Sequence, residues 1–148
     1  MFKEEVEELI TYSLKEKTSL EAYFGNYNLQ GVSGNSWKPD VVIVDTTFSD
    51  SEVLNYSVKL IAEIKMQDYD FIEANKPKCD TWKEHMWRAY ARLGDMTNWK
   101  VPKYLLFPYF ELRGEFDFFS YFGSIDVILL NWSKDEDVEV FGKKIKEL

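Results

Sequence analysis

A chain of 148 residues with 45% hydrophobic content and 25 aromatic side chains (11 Phe, 9 Tyr, 5 Trp) is long enough for one domain with a substantial core, and too apolar for a disordered segment. No run of eighteen apolar residues is present, and one Cys with one His cannot supply an internal disulfide or a Cys/His zinc cluster. The net charge of −8 disfavours a surface that is cationic all round, and the acidic opening is unlike a secretory signal, so a cytoplasmic protein without a membrane span is expected.

In chain order, Phe2, Val6, Leu9, Ile10 and Leu14 recur at helical spacing among outward-facing glutamates, which predicts a helix over residues 2–17. Residues 23–31 alternate Tyr27 and Leu29 with polar side chains, and residues 31–35 form a Gly-rich turn. Two β-branched runs follow over residues 37–46 and 56–66, joined by a polar loop. After a polar stretch from Gln67 to Cys79, Thr81 and Glu84 make a capping box, and Gly94 a stop, for a helix near residues 81–93. Its apolar stripe is Trp82, Met86, Ala89, Tyr90 and Leu93. Cys79 and His85, six apart, fall on different faces and make no catalytic pair. A strand over residues 103–107, a short helix over 115–122 and a fully buried strand over 125–132 would make a parallel crossover. Val138 to Phe141 alternates and is read as one more edge strand, with Gly142 turning into a lysine-bearing tail.

Chemistry concentrates on the two β-branched runs. Asp40 opens the first in Trp37-Lys38-Pro39-Asp40, and the second closes on Glu63-Ile64-Lys65. A period of two sets Glu63 and Lys65 on one sheet face, and pairing of the strands at a spacing of ~4.8 Å brings Asp40 beside Glu63. Two carboxylates and an ammonium in one pocket suit a divalent cation and an activated water. Asp45, five residues after Asp40, falls on the other face and marks a strand end.

Pro39-Asp40 with Glu63-Ile64-Lys65 resembles the PD-(D/E)xK superfamily, the restriction-endonuclease-like and Holliday-junction-resolvase-like nucleases. The order helix, three strands, helix, strand, helix, strand is similar to that superfamily's αβββαβ core over nearly the whole chain. The resemblance implies a single nuclease-like α/β (α+β) domain over residues 1–148, with a mixed central sheet flanked by helices. It implies a magnesium- or manganese-dependent endonuclease or exonuclease acting on DNA, with Asp40, Glu63 and the Ile64 backbone carbonyl holding the metal. Lys65 would orient and help deprotonate the attacking water. An acid from the first helix often joins the metal in this superfamily, and Glu5 and Glu8 are the candidates. Tyr90 fits a Gln-x-x-x-Tyr motif found in some relatives, but Met86 stands at the Gln position, a departure from the RecB-like exonuclease branch.

Residues 76–113 hold 8 bases against 4 acids, whereas residues 1–75 hold 6 against 14. An acidic body with one basic face can steer a polyanion to that face, which makes Lys83, Arg88 and Arg92 the candidate nucleic-acid contacts. A homodimer is a further expectation, since paired sites cut paired strands. Two other functions stay open: an inactive nuclease fold serving as a binding or assembly module, and an RNA-processing nuclease with the same chemistry.

Overall fold

The computed structural model describes residues 2–47, 57–65, 80–107 and 127–148, with the backbone alone for Phe2 and residues 80–87. Helix α1 spans Phe2–Ser13. Strand β1 (Leu20–Tyr23), the short strands β2 (Leu29–Gln30) and β3 (Ser36–Trp37), and strands β4 (Val41–Asp45) and β5 (Val58–Ile64) follow. Helix α2 (Asp80–Asp95), strands β6 (Lys103–Phe107) and β7 (Val127–Asn131), and helix α3 (Asp135–Lys146) complete the described elements. The result is a mixed α/β architecture around a five-stranded sheet ordered β1-β4-β5-β6-β7, with β2 and β3 forming a separate two-stranded ribbon.

Strands β1, β4 and β5 pair antiparallel, and β5, β6 and β7 pair parallel. Near-continuous apolar side chains in β4, β5 and β6 reflect burial on both faces, the usual condition of a sheet covered by helices on both sides. On one face Val41, Ile43, Leu60, Ala62, Tyr104 and Leu106 pack with Val6 and Ile10 of α1 and with Phe141 and Ile145 of α3. On the other, Val42, Val44, Ile61 and Leu105 pack with Ala89, Tyr90, Leu93 and Met96 of α2. Alternation therefore divides the strand residues between two cores, and it decides which helix each polar residue meets.

Several sequence expectations need correction. The strand beside β4 is Leu20–Tyr23, while the alternating residues near 23–31 supply only the two-residue β2 of the ribbon. Gly94 does not stop α2, which runs on to Asp95 with no left-handed residue at its end. Strand β7 is not fully buried, since Ile128 is 43% exposed. The segment read as an edge strand over Val138–Phe141 is instead part of α3. Its local alternation is overridden over the longer window, where Val138, Phe141 and Ile145 recur at helical spacing. Asp135, Glu136 and Asp137 in the first turn and Lys143, Lys144 and Lys146 in the last complement the helix dipole. The expected helix over residues 115–122 lies outside the described residues.

Asp95, at the end of α2, fastens the ribbon to the domain. Its carboxylate accepts hydrogen bonds from the Ser33 backbone N–H (2.9 Å), the Ser33 hydroxyl (2.6 Å) and the Trp37 indole N–H (2.7 Å), and its carbonyl accepts one from the Val32 N–H (2.7 Å). These bonds hold its carboxyl below the usual aspartate range, the Ser33 hydroxyl contributing most. The ribbon leads directly into Pro39 and Asp40, so the same clamp fixes the approach to β4. Gly31 lies buried against Asp95, where an added Cβ would sit 2.8 Å from the Asp95 carbonyl oxygen and still closer to its carboxylate. Gly31→Ala should therefore cost about 2 kcal/mol and lower the melting temperature by roughly 4–8 °C. A variant melting within a degree of wild type would show that the clamp yields freely.

Candidate active site

Asp40 stands just before β4, and Glu63 and Lys65 lie at the end of β5. In the antiparallel register Val41 faces Ala62, so the residues one step outward, Asp40 and Glu63, face each other across the strand boundary. All three occupy the α2 face, in phase with Val42 and Ile61. The Ile64 N–H donates to Asp40 Oδ2 at 2.7 Å, which ties the aspartate to the neighbouring strand. A strand residue sends its N–H and C=O to the same edge, so the Ile64 carbonyl is directed toward β4 as well.

Glu63 is buried beside Asp40, close enough for a hydrogen bond when one of the two carboxyl groups carries a proton. Burial first, then the hydrogen bond and the charge of Asp40, push its carboxyl up to about 8, against a smaller opposing pull from Arg92 and Lys65. A hydrogen bond between two carboxyl groups requires one proton, and Glu63 is the group that retains it at neutral pH. Lys65 is half-buried, and its ammonium is pushed below the usual lysine range by burial first and by the neighbouring Arg92, with Arg88 adding to the effect. Glu63 and Asp40 oppose that shift without cancelling it.

Arg92, from α2, completes this cluster. Its Nη2 lies 3.9 Å from Glu63 Oε2, and its side chain is 35% exposed against 5% for Glu63. That separation is too long for a hydrogen bond, and the buried Nε has no hydrogen-bond partner among the described residues. An unsatisfied buried donor costs ~1–3 kcal/mol, so the guanidinium sits in a place that an acceptor would improve. The sequence offered Arg92 only as a candidate nucleic-acid contact. Its position four residues after Arg88 gave no sign that it would reach Glu63.

Among the described residues, the other predicted side chains do not join the cluster. Glu5 and Glu8 are exposed on α1, which covers the opposite face of the sheet. Arg88 is exposed on α2, and the side chains of Lys83 and His85 lie outside the described residues, as does Cys79. Tyr90 is buried in the α2 core. Asp45 ends β4 on the α1 face, as alternation predicts, and its carboxyl is lowered by the Thr47 hydroxyl and N–H. Two open cavities of about 610 and 570 Å³ are lined by Tyr12, Lys17, Asp45 and Lys59 among others, at the end of β4 away from Asp40. None of the three clustered residues lines them.

Asp40, Glu63 and the Ile64 carbonyl are hard oxygen donors of the kind magnesium and manganese accept. Such ions keep several waters and need only one or two carboxylates, so the pair fits although no group of three acidic, imidazole or thiol side chains occurs among the described residues. A cation would relieve the repulsion between two ionised carboxylates this close. No helix among the described residues is long and apolar enough to cross a membrane. Comparison with protein-family models, curated proteins and solved structures finds no match for this chain.

Proposed function

We propose that this chain is a metal-dependent nuclease of the PD-(D/E)xK type, hydrolysing phosphodiester bonds of DNA. The observation that carries the reading is the convergence of Asp40, Glu63 and Lys65 on one sheet face, with Asp40 tied to the Ile64 N–H and facing the buried Glu63 across the two strands. Support also comes from element order: a helix, antiparallel strands, a helix and then a parallel strand follow the restriction-endonuclease-like core, with the β2-β3 ribbon and α3 as additions.

Asp40 and Glu63 would hold magnesium or manganese with the Ile64 carbonyl. When bound, the ion supplies charge neutralisation at the phosphate and lowers the pKa of water. Glu63 would serve as a ligand in its ionised form, its proton passing to solvent. Lys65, its ammonium pushed below the usual lysine range by burial and by Arg92, would accept a hydrogen bond from the attacking water and take its proton. Arg88 and Arg92 line the same helix at i and i+4 and meet the phosphate backbone. Two copies of the chain would present two such sites to the two strands of a duplex.

The test is a cleavage panel over duplex, single-stranded, flapped and four-way DNA and matching RNA, in magnesium or manganese and in chelator. Chelator-sensitive cleavage of at least one DNA is expected. RNA cleavage alone would transfer the chemistry to RNA processing. Folded protein that cuts nothing would leave a binding module on this scaffold.

A further inference from the structure

We infer that Arg92 is a built-in counter-ion of the Asp40–Glu63 pair, displaced when a divalent cation binds and then transferred to the substrate phosphate. The inference rests on the metal reading of the carboxylate pair. It begins from an arginine that is placed beside a buried carboxyl without being bonded to it. Arg92 Nη2 approaches Glu63 Oε2 to 3.9 Å, outside hydrogen-bond range, while Nε is buried without an acceptor among the described residues. A guanidinium committed to a structural ion pair with Glu63 would close a short, bidentate contact. This one makes no hydrogen bond to Glu63, and about a third of its side chain is exposed, which leaves it room to turn outward.

A cation on Asp40 and Glu63 would lie within a few ångströms of that guanidinium, and two positive charges at such a distance repel strongly in a partly desolvated site. Arg92 must then move away from Glu63. Its planar fork of donors suits a phosphate, and Arg88 is one turn away on α2. Metal binding and exposure of the phosphate-binding guanidinium thus become one event, which orders the steps with metal first and nucleic acid second.

The experiment is calorimetric titration of manganese alone, at pH 8 and without nucleic acid, into wild type, Arg92→Gln and Arg92→Lys, with folding of each checked by circular dichroism. Removing the competing charge should tighten manganese binding by about tenfold or more in Arg92→Gln. Arg92→Lys, which keeps the charge, should stay nearer wild type. Equal affinity in wild type and Arg92→Gln would overturn the inference and leave the metal site standing. Absence of manganese binding in all three proteins would overturn both the metal reading and the inference drawn from it. A second measurement follows the transfer itself, using duplex DNA and a Lys65→Ala background that does not cleave. There Arg92→Gln should weaken binding in manganese and leave it unchanged in chelator. Equal weakening in both conditions would make Arg92 an ordinary phosphate contact.

Discussion

Lys65→Arg and Lys65→Ala should both lose cleavage by about 10²–10⁴-fold, the range expected for removal of a general base. The arginine variant is the informative one. Lys65 is pushed toward its neutral form by burial and by Arg92, so near neutral pH it can accept a proton more readily than an exposed lysine. Arginine keeps the positive charge at the phosphate but stays protonated at any accessible pH, so it preserves the electrostatic role and removes the proton-accepting one. Full activity in Lys65→Arg would mean that this side chain supplies charge only and that water is deprotonated elsewhere. Asp40→Asn should be as inactive, for a different reason. Asparagine still accepts the Ile64 N–H, so the strand junction survives while the anionic ligand is gone. Asp40→Ala is a poorer test, because it leaves that N–H unsatisfied at a cost of ~1–3 kcal/mol. Cleavage rates with melting curves for all four variants separate lost chemistry from lost fold.

The site was legible in the sequence to the extent that it depends on strand periodicity. Glu63 and Lys65 had to share a face because a strand repeats every two residues, and the antiparallel register then set Asp40 opposite Glu63. Strands β4 and β5 were legible for the same reason, since long β-branched runs have few other uses. What periodicity could not reach were contacts made between elements. The Asp95 clamp joins residues separated by 58 to 62 positions, and nothing local distinguishes that aspartate from any other at a helix end. Arg92 meets Glu63 because α2 lies across the face that carries the site, a packing choice made by Ala89, Tyr90 and Leu93 rather than by the arginine. Glu5 and Glu8 were misplaced by the same gap: one helix cannot be assigned to a sheet face without knowing which strand residues its apolar stripe meets. The failure at α3 has another origin. Four residues of alternation, Val138 to Phe141, were weighed alone, whereas twelve residues with acids at one end and lysines at the other specify a helix.

Glu63→Gln should remove the pH dependence of stability that this one carboxyl imposes on the metal-free protein. In the folded chain Glu63 holds its proton up to about 8, against an ordinary value of 4.5 in the unfolded chain. Between those values the folded state binds the proton and the unfolded state does not, so stability falls as pH rises through that interval. The stabilisation is present in full below about 4.5 and lost by about 8, and a gap of this size corresponds to on the order of 4 kcal/mol. Glutamine is neutral throughout and can still donate to Asp40, so its stability should not carry this slope. In chelator, urea midpoints of wild type and Glu63→Gln should lie close together at pH 5 and diverge steadily toward pH 8, with the variant the more stable. The lowered carboxyls of Asp45 and Asp95 are common to both proteins and cancel in the difference. Parallel profiles would mean that Glu63 is ionised in the folded state and balanced by Arg92, which would remove the shared proton and with it the reason to place a cation between these two strands.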